Sequence, residues 1–395
     1  MHGKIMRLWP PASSSLTGEL QAYLIRGVKA ASPLLTRSTS RSLTQSSRRC
    51  LTSTPSSQLK MSLANANAEQ GNGPKQNAWV GSAGAAGYDL RTLRSLLTQP
   101  PHGLVCDYRS HIVKYEAGGV SALTGATVKT IVPKNGIYLS LEDIKANVYL
   151  DDDVHTCPTR LISLENTLNG MIMPLQEVQR ISAFAKENGL KMHCDGARLW
   201  EAAASGAGSL KEFASCFDTV TLCFSKGLGA PIGSILVGDK KVIKHSRWVR
   251  KSIGGGLRQS GVVTAAARVA VDETFGKGPN GEVGLLRDTH ILAQQVAKIW
   301  TDLGGQLIHP VHTNMVWLDL EDAHCPDARV DELGKEAGLK LMGGRLVIHY
   351  QIYQNREFVV PRLESIFKTI MGEKNGTSKG LKGQEGERSM YRTSQ

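Results

Sequence analysis

The stretch that decides the fold is TVTLCFSKGLGAPIGSILVG, Thr219 to Gly238. Its first six residues are apolar or β-branched and read as a buried strand, which stops at Ser225-Lys226 with Gly227 and Gly229 behind. A lysine at the point where an apolar strand gives way to a glycine turn admits two readings. If the ammonium is partly buried, desolvation favours the neutral amine, the form that a Schiff-base nucleophile needs. If the turn lies on the surface, Lys226 is an ordinary solvated lysine. The run alone balances the two.

The neighbouring segments repeat the same design. Leu104 to Cys106 is a short strand ending at Asp107; RLISLE, Arg160 to Glu165, is another and runs into polar Asn166-Thr167. A helix is expected from Pro174 to just before Gly189, with Leu175, Val178, Ile181 and Phe184 as its inward stripe. Leu190 to Cys194 forms the next strand and ends at Asp195. Alternating strands and helices predict an α/β fold with a mostly parallel, doubly wound sheet, whose ligands bind at the carboxyl ends of the strands. Beyond residue 276 a long helical stretch is followed by short strands at Asn314 to Leu320 and Arg345 to Tyr350. The expected organisation is a large domain over 89–275 and a smaller α+β domain over 276–371.

The formal charge of +12 on 395 residues belongs to the ends of the chain. Residues 1–68 hold nine Lys or Arg against the single acid Glu19, and residues 372–395 hold five basic and three acidic residues. The body carries only about +2, which gives no basic face for nucleic acid. No apolar run approaches the ~18 residues of a membrane span. The seven cysteines are scattered with no C-x-x-C pair, which argues against a zinc site or a secreted disulfide scaffold, so no metal is expected. Residues 1–68, rich in Ser, Thr, Arg and Leu, have the composition of an organellar transit segment that leans mitochondrial, so 1–88 reads as a transit-like or a disordered N-terminal segment; a start at Met61 would remove most of the signal and leave a cytoplasmic protein. Residues 372–395 read as a solvated, disordered tail.

Four further features carry chemistry. Asp195, in HCDGARLW from His193, is a strand-end carboxylate that can pair with a protonated ring nitrogen or cap the following helix. Arg198, three residues on, suits an anion or a surface ion pair. His111, in CDYRSHIVKYEAGG from Cys106, can stack on a planar ring or act as a base, although a lone histidine is as readily structural. Gly254 to Gly256, with Lys251 and Arg258 alongside, are expected to open a helix as a phosphate cradle or to form a flexible loop.

In this order, YEAGG at Tyr115, SLENT at Ser163, CDGAR at Cys194, SKGLGAPIGS at Ser225 and GGGLRQSG at Gly254 resemble the threonine aldolases, over roughly residues 90–370. The resemblance implies a pyridoxal 5'-phosphate (PLP) enzyme of fold type I that cleaves threonine or allo-threonine to glycine and acetaldehyde. Carried over residue by residue, it makes Lys226 the lysine that bonds the cofactor, Asp195 the partner of the pyridine nitrogen and Arg198 its neighbour toward the 3-oxygen. His111 becomes the residue that stacks on the ring near the substrate hydroxyl, and Arg345 the clamp on the substrate carboxylate. Lys251 and Arg258 match residues that reach the phosphate of a neighbouring subunit, so a homotetramer built from dimers is implied.

Two positions depart from the family. Leu168 follows SLENT where many bacterial relatives carry a second active-site histidine, which leaves proton transfer to His111 or water. Residues 1–88 lack the Ser-Asp strand and the Ser-Gly-Thr turn that hold the PLP phosphate, with Gly81 to Gly84 a loose substitute. Two alternatives therefore stand beside the active aldolase: a catalytically impaired member of the family, and another PLP-dependent lyase.

Overall fold

The computed structural model describes residues 100–276 and 284–377. The transit-like segment, Met61 and Gly81 to Gly84 lie outside these residues. Six strands form the main sheet: β1 (Gly103–Asp107), β2 (Thr127–Ile131), β3 (Thr159–Glu165), β4 (Lys191–Gly196), β5 (Thr219–Cys223) and β6 (Ser234–Gly238). Their order is β2-β1-β3-β4-β5-β6, all parallel except β6, which runs antiparallel to β5. The order reverses between β1 and β3, the point at which parallel sheets open a crevice at their carboxyl ends.

The pleat explains why these runs are apolar on both sides. Val105, Ile162 and Leu164 face one core together with Val220 and Leu222, whereas Leu104, Cys106 and Leu161 face a second with Ile112 and Val120. The expected helix forms over Leu175–Glu187, with Pro174 as its N-cap residue. Leu175, Val178 and Ile181 are buried as the periodicity requires; Phe184 is only partly buried at the edge of the core.

A second core gathers around the helix Gly284–Asp302 and a two-stranded antiparallel ladder of β7 (Met315–Trp317) and β8 (Arg345–Val347). Trp300 and Phe367 meet edge to face at its centre, 5.2 Å between ring centroids. Both strands are shorter than the sequence suggests. Beyond Trp317 only Leu318 continues, as an isolated bridge to Leu307, and Tyr350 opens a short helix. The last helix, Arg356–Thr377, runs past the position where a tail was expected. Its final turn is tied down by Arg329 to Glu373 and Lys374 to Asp322, at 2.7 and 2.9 Å. Among the described residues no helix is long and apolar enough to cross a membrane.

Of the two forms expected for the glycine run, the structure shows the loop and not the helix opening. The helix Lys240–Ser252 ends with Gly254 at φ +84°; Gly254 N–H donates to the Lys251 carbonyl and Gly255 N–H to the Arg250 carbonyl. This is a Schellman closure. The glycines therefore close one helix instead of opening the next, which starts only at Gly261.

At the carboxyl end of β1, Asp107 and Arg109 form a buried ion pair, Nη2 to Oδ2 at 2.8 Å and Nε to Oδ1 at 3.0 Å. The same guanidinium donates to the carbonyls of Gly136 and Ile137, which fastens that loop to the rim of the crevice. Asp107→Ala strands the buried guanidinium and is expected to cost about 3–5 kcal/mol of stability, read as a lowered denaturant midpoint.

Candidate active site

The strand ends bring together residues that are far apart in sequence. Glu165 pairs in register with Asp195, and Asp195 with Thr221, so β3, β4 and β5 present these side chains on one face. Asp195 is buried; its Oδ1 accepts the Ala197 N–H at 3.1 Å and its carbonyl accepts the Asn166 N–H at 3.1 Å. The helix that follows is capped at Arg198 without a side-chain bond, so Asp195 does not serve as its N-cap.

One pleat below, on the same face, lies His193, fully buried, with Nδ1 2.9 Å from Thr219 Oγ1. Burial pushes its pKa down to about 4 in spite of the opposing charge of Asp195. A neutral imidazole thus underlies the carboxylate.

Lys226 follows β5 in a turn closed by Gly229 N–H to the Lys226 carbonyl and Ala230 N–H to the Phe224 carbonyl, both 2.9 Å. Gly229 has φ +82°, and a side chain there would collide with Tyr350; one at Gly227 would collide with the Glu201 carboxylate. Lys226 is exposed as a residue, yet surrounding protein still desolvates its amine. That desolvation lowers its pKa, and the Arg198 and Arg345 guanidinium groups lower it further, while Cys223 and Asp195 act in the opposite direction. Lys226, Asp195, Arg198 and Arg345 therefore lie within electrostatic reach of one another, with Arg345 arriving from β8 of the second core.

His111 begins the short helix His111–Lys114 after β1. Its backbone N–H donates to Glu165 Oε2 at 2.8 Å, its Nδ1 lies 3.1 Å from Glu116 Oε1, and its ring leans on Tyr115. Glu165 is thus the link between His111 and the strand that neighbours Asp195. Its place at the end of RLISLE, within SLENT, was the only signal in the sequence. Beside it, Asp107, Leu139, Leu164, Leu168 and Met171 line a small cleft with a cavity volume of about 10 Å³. Lys251 and Arg258 stand apart, exposed at and after the end of the helix Lys240–Ser252, and are not among the charges that act on Lys226. Among the described residues no cluster of His, Cys, Asp or Glu is arranged to hold a metal ion.

Comparison with known proteins places this geometry. The profile of the beta-eliminating lyase family matches residues 84–323. Aldolase vrtJ of Penicillium aethiopicum is 52% identical over 71% of this chain and 70% of its own length. Alanine racemase TOXG of Cochliobolus carbonum is 46% identical over 71% of each. The low-specificity L-threonine aldolase of Eremothecium gossypii is 43% identical over 76% of each. Among solved structures, threonine aldolase of Leishmania major superimposes with a TM-score of 0.59 over 73% of this chain and 82% of its own, at 20% identity. That likeness supports the fold.

The buried histidine has a consequence for acid stability. Between pH 6.5, its ordinary value, and about 4, the unfolded chain binds a proton at His193 that the folded chain does not. Stability therefore falls as pH is lowered through that window, by about 3 kcal/mol from this group, and the loss stops once the folded imidazole protonates. His193→Asn is expected to flatten this part of the stability–pH curve, measured by urea unfolding between pH 7 and 4.

Proposed function

This chain belongs to the beta-eliminating lyase family and is a PLP-dependent lyase, and we propose that it cleaves L-threonine or L-allo-threonine to glycine and acetaldehyde. The observation that carries this reading is the meeting of a lysine amine of lowered pKa with Asp195, Arg198 and Arg345 at the strand ends. These residues fit the ring end of PLP. Lys226 would take the aldehyde, the buried Asp195 carboxylate the ring nitrogen and Arg198 the phenolate oxygen. When bound, the cofactor supplies an electron sink for the pair left on Cα.

The remaining work falls to side chains of this chain. Arg345 binds the substrate carboxylate and so fixes the orientation of the Cα–Cβ bond. His111, held by Glu165, accepts the β-hydroxyl proton directly or through a water. Leu168 has no proton to exchange, so it offers the β-carbon packing alone. Lys251 and Arg258 serve the phosphate of a second copy. The exposure of Trp248 (65%), Ile253 (41%) and Leu257 (50%) around them supports an interface there. Light scattering is expected to find more than one copy, and Leu257→Asp to reduce the number.

A second reading draws on the similarity to alanine racemase TOXG: the same lysine and carboxylate would also support exchange of a Cα proton. One experiment separates the readings. The purified chain is loaded with PLP, followed by its visible absorbance, and given L-threonine, L-allo-threonine or L-alanine. Glycine and acetaldehyde in equal amounts are expected, with no absorbance band or turnover in Lys226→Ala. His111→Asn is expected to lower kcat on the order of 10²-fold, and Arg345→Ala to raise KM on the order of 10–100-fold. Ammonia with a keto acid would make the chain a different PLP lyase, and D-alanine a racemase. A folded protein that takes up no PLP would be the impaired member of the family.

A further inference from the structure

The ladder of β7 and β8 sets Trp317 directly opposite Arg345. Val316 and Leu346 point into the second core, so the pleat turns Met315, Trp317 and Arg345 to the opposite face. That face lies against the turn that leaves β3 after Thr167. Trp317 Nε1–H donates to the Asn169 carbonyl at 2.9 Å, and Thr313 Oγ1–H to the Gly170 carbonyl at 2.7 Å. Ile172 N–H donates to His312 Nδ1 at 3.1 Å. Asn169 and Gly170 both have positive φ, +52° and +84°, and a Cβ at Gly170 would meet Met315 at 2.7 Å. On the other side of the indole, the Arg345 guanidinium carbon lies 5.5 Å from the ring centroid, and His309 packs edge-on at 5.7 Å. Trp317 is itself 6% exposed.

We propose that Trp317 is a positioning residue, acting through Arg345. Its ring carries the guanidinium while its N–H fixes the 168–172 turn, so the group that takes the substrate carboxylate and the wall beside the β-carbon are held as one unit. A cation 5.5 Å from an indole centroid is within the range of attraction to the ring face. The inference rests on the reading that Arg345 binds the substrate carboxylate.

The test uses the full chain loaded with PLP. Dissociation constants are measured for glycine, which has a carboxylate, and for methylamine, which has none, together with KM and kcat for L-threonine. Trp317→Leu is expected to weaken glycine and raise KM on the order of tenfold, with kcat within about threefold and methylamine binding unchanged. Trp317→Phe keeps an aromatic ring under the guanidinium while losing the N–H and part of the indole, so its effect on glycine is expected to be smaller; it also serves should the leucine variant fold poorly. In an Arg345→Ala background, Trp317→Leu should add nothing to the loss of glycine binding, because the guanidinium contact is already gone and glycine has no β-carbon to meet the turn. Equal losses for glycine and methylamine, or a full further loss in the Arg345→Ala background, would overturn the proposal and leave Trp317 a packing residue. Unchanged glycine binding in Arg345→Ala alone would instead defeat the assignment of Arg345, and the proposal with it.

Discussion

The Lys226 amine stands among two guanidinium groups, with a thiol and a single carboxylate opposing them. An ammonium is costly in that field, and the neutral amine is the form that can attack a carbonyl. The rest of the fold can be traced from this requirement. The lysine must leave an apolar strand, so that its surroundings desolvate it, and must do so in a turn tight enough to hold it. Gly227 and Gly229 meet the second need because the Glu201 carboxylate and the Tyr350 ring occupy the places where side chains would go. One of the two arginines follows β4 and the other lies on β8, so the field is complete only when both cores are assembled.

The opposing carboxylate needs its own support. Asp195 is kept in place by main-chain contacts from Ala197 and Asn166, and beneath it the His193–Thr219 pair fills the next level of the sheet. Parallel register aligns these levels: Ser163, His193 and Thr219 in one, Glu165, Asp195 and Thr221 in the next. Polar residues inside a sheet are costly unless they are hydrogen-bonded. Their concentration on one face of three adjacent strands sets that face apart from the apolar one. Val220, Leu222 and Cys194 on the opposite face belong to the main core.

Much of this was legible in the sequence, for a physical reason. Apolar runs that end at Asp107, Glu165, Asp195 and Lys226 mark strand ends, and a parallel sheet gathers its strand ends at one edge whatever the loop lengths. The meeting of Lys226, Asp195 and Arg198 follows from local pattern plus that rule. What the sequence could not display are contacts that depend on register and on the docking of the second core. Glu165 reaches the His111 N–H across 54 positions, and Trp317 reaches Asn169 across 148. Neither residue belongs to a pattern that one element could reveal. The glycine run was ambiguous for a different reason: three glycines suit a loop or the close of one helix as well as the start of another, and only the bonds from Gly254 and Gly255 to Lys251 and Arg250 distinguish these.

The contacts that join the two cores also bear on how such a site can change. Trp317 and Thr313 read main-chain carbonyls of the turn, and His312 reads a main-chain N–H. These three bonds fall on Asn169, Gly170 and Ile172, and none is made to Leu168. The turn is thus held through its backbone, with Gly170 fixed by its conformation and by Met315, while the residue facing the cleft is under no such constraint. Exchange of a proton-transferring group for leucine there alters the chemistry of the wall without displacing it. A turn clasped through its backbone can change its side chains, and with them the substrate that it faces, while the arginine on the neighbouring ladder stays where it is.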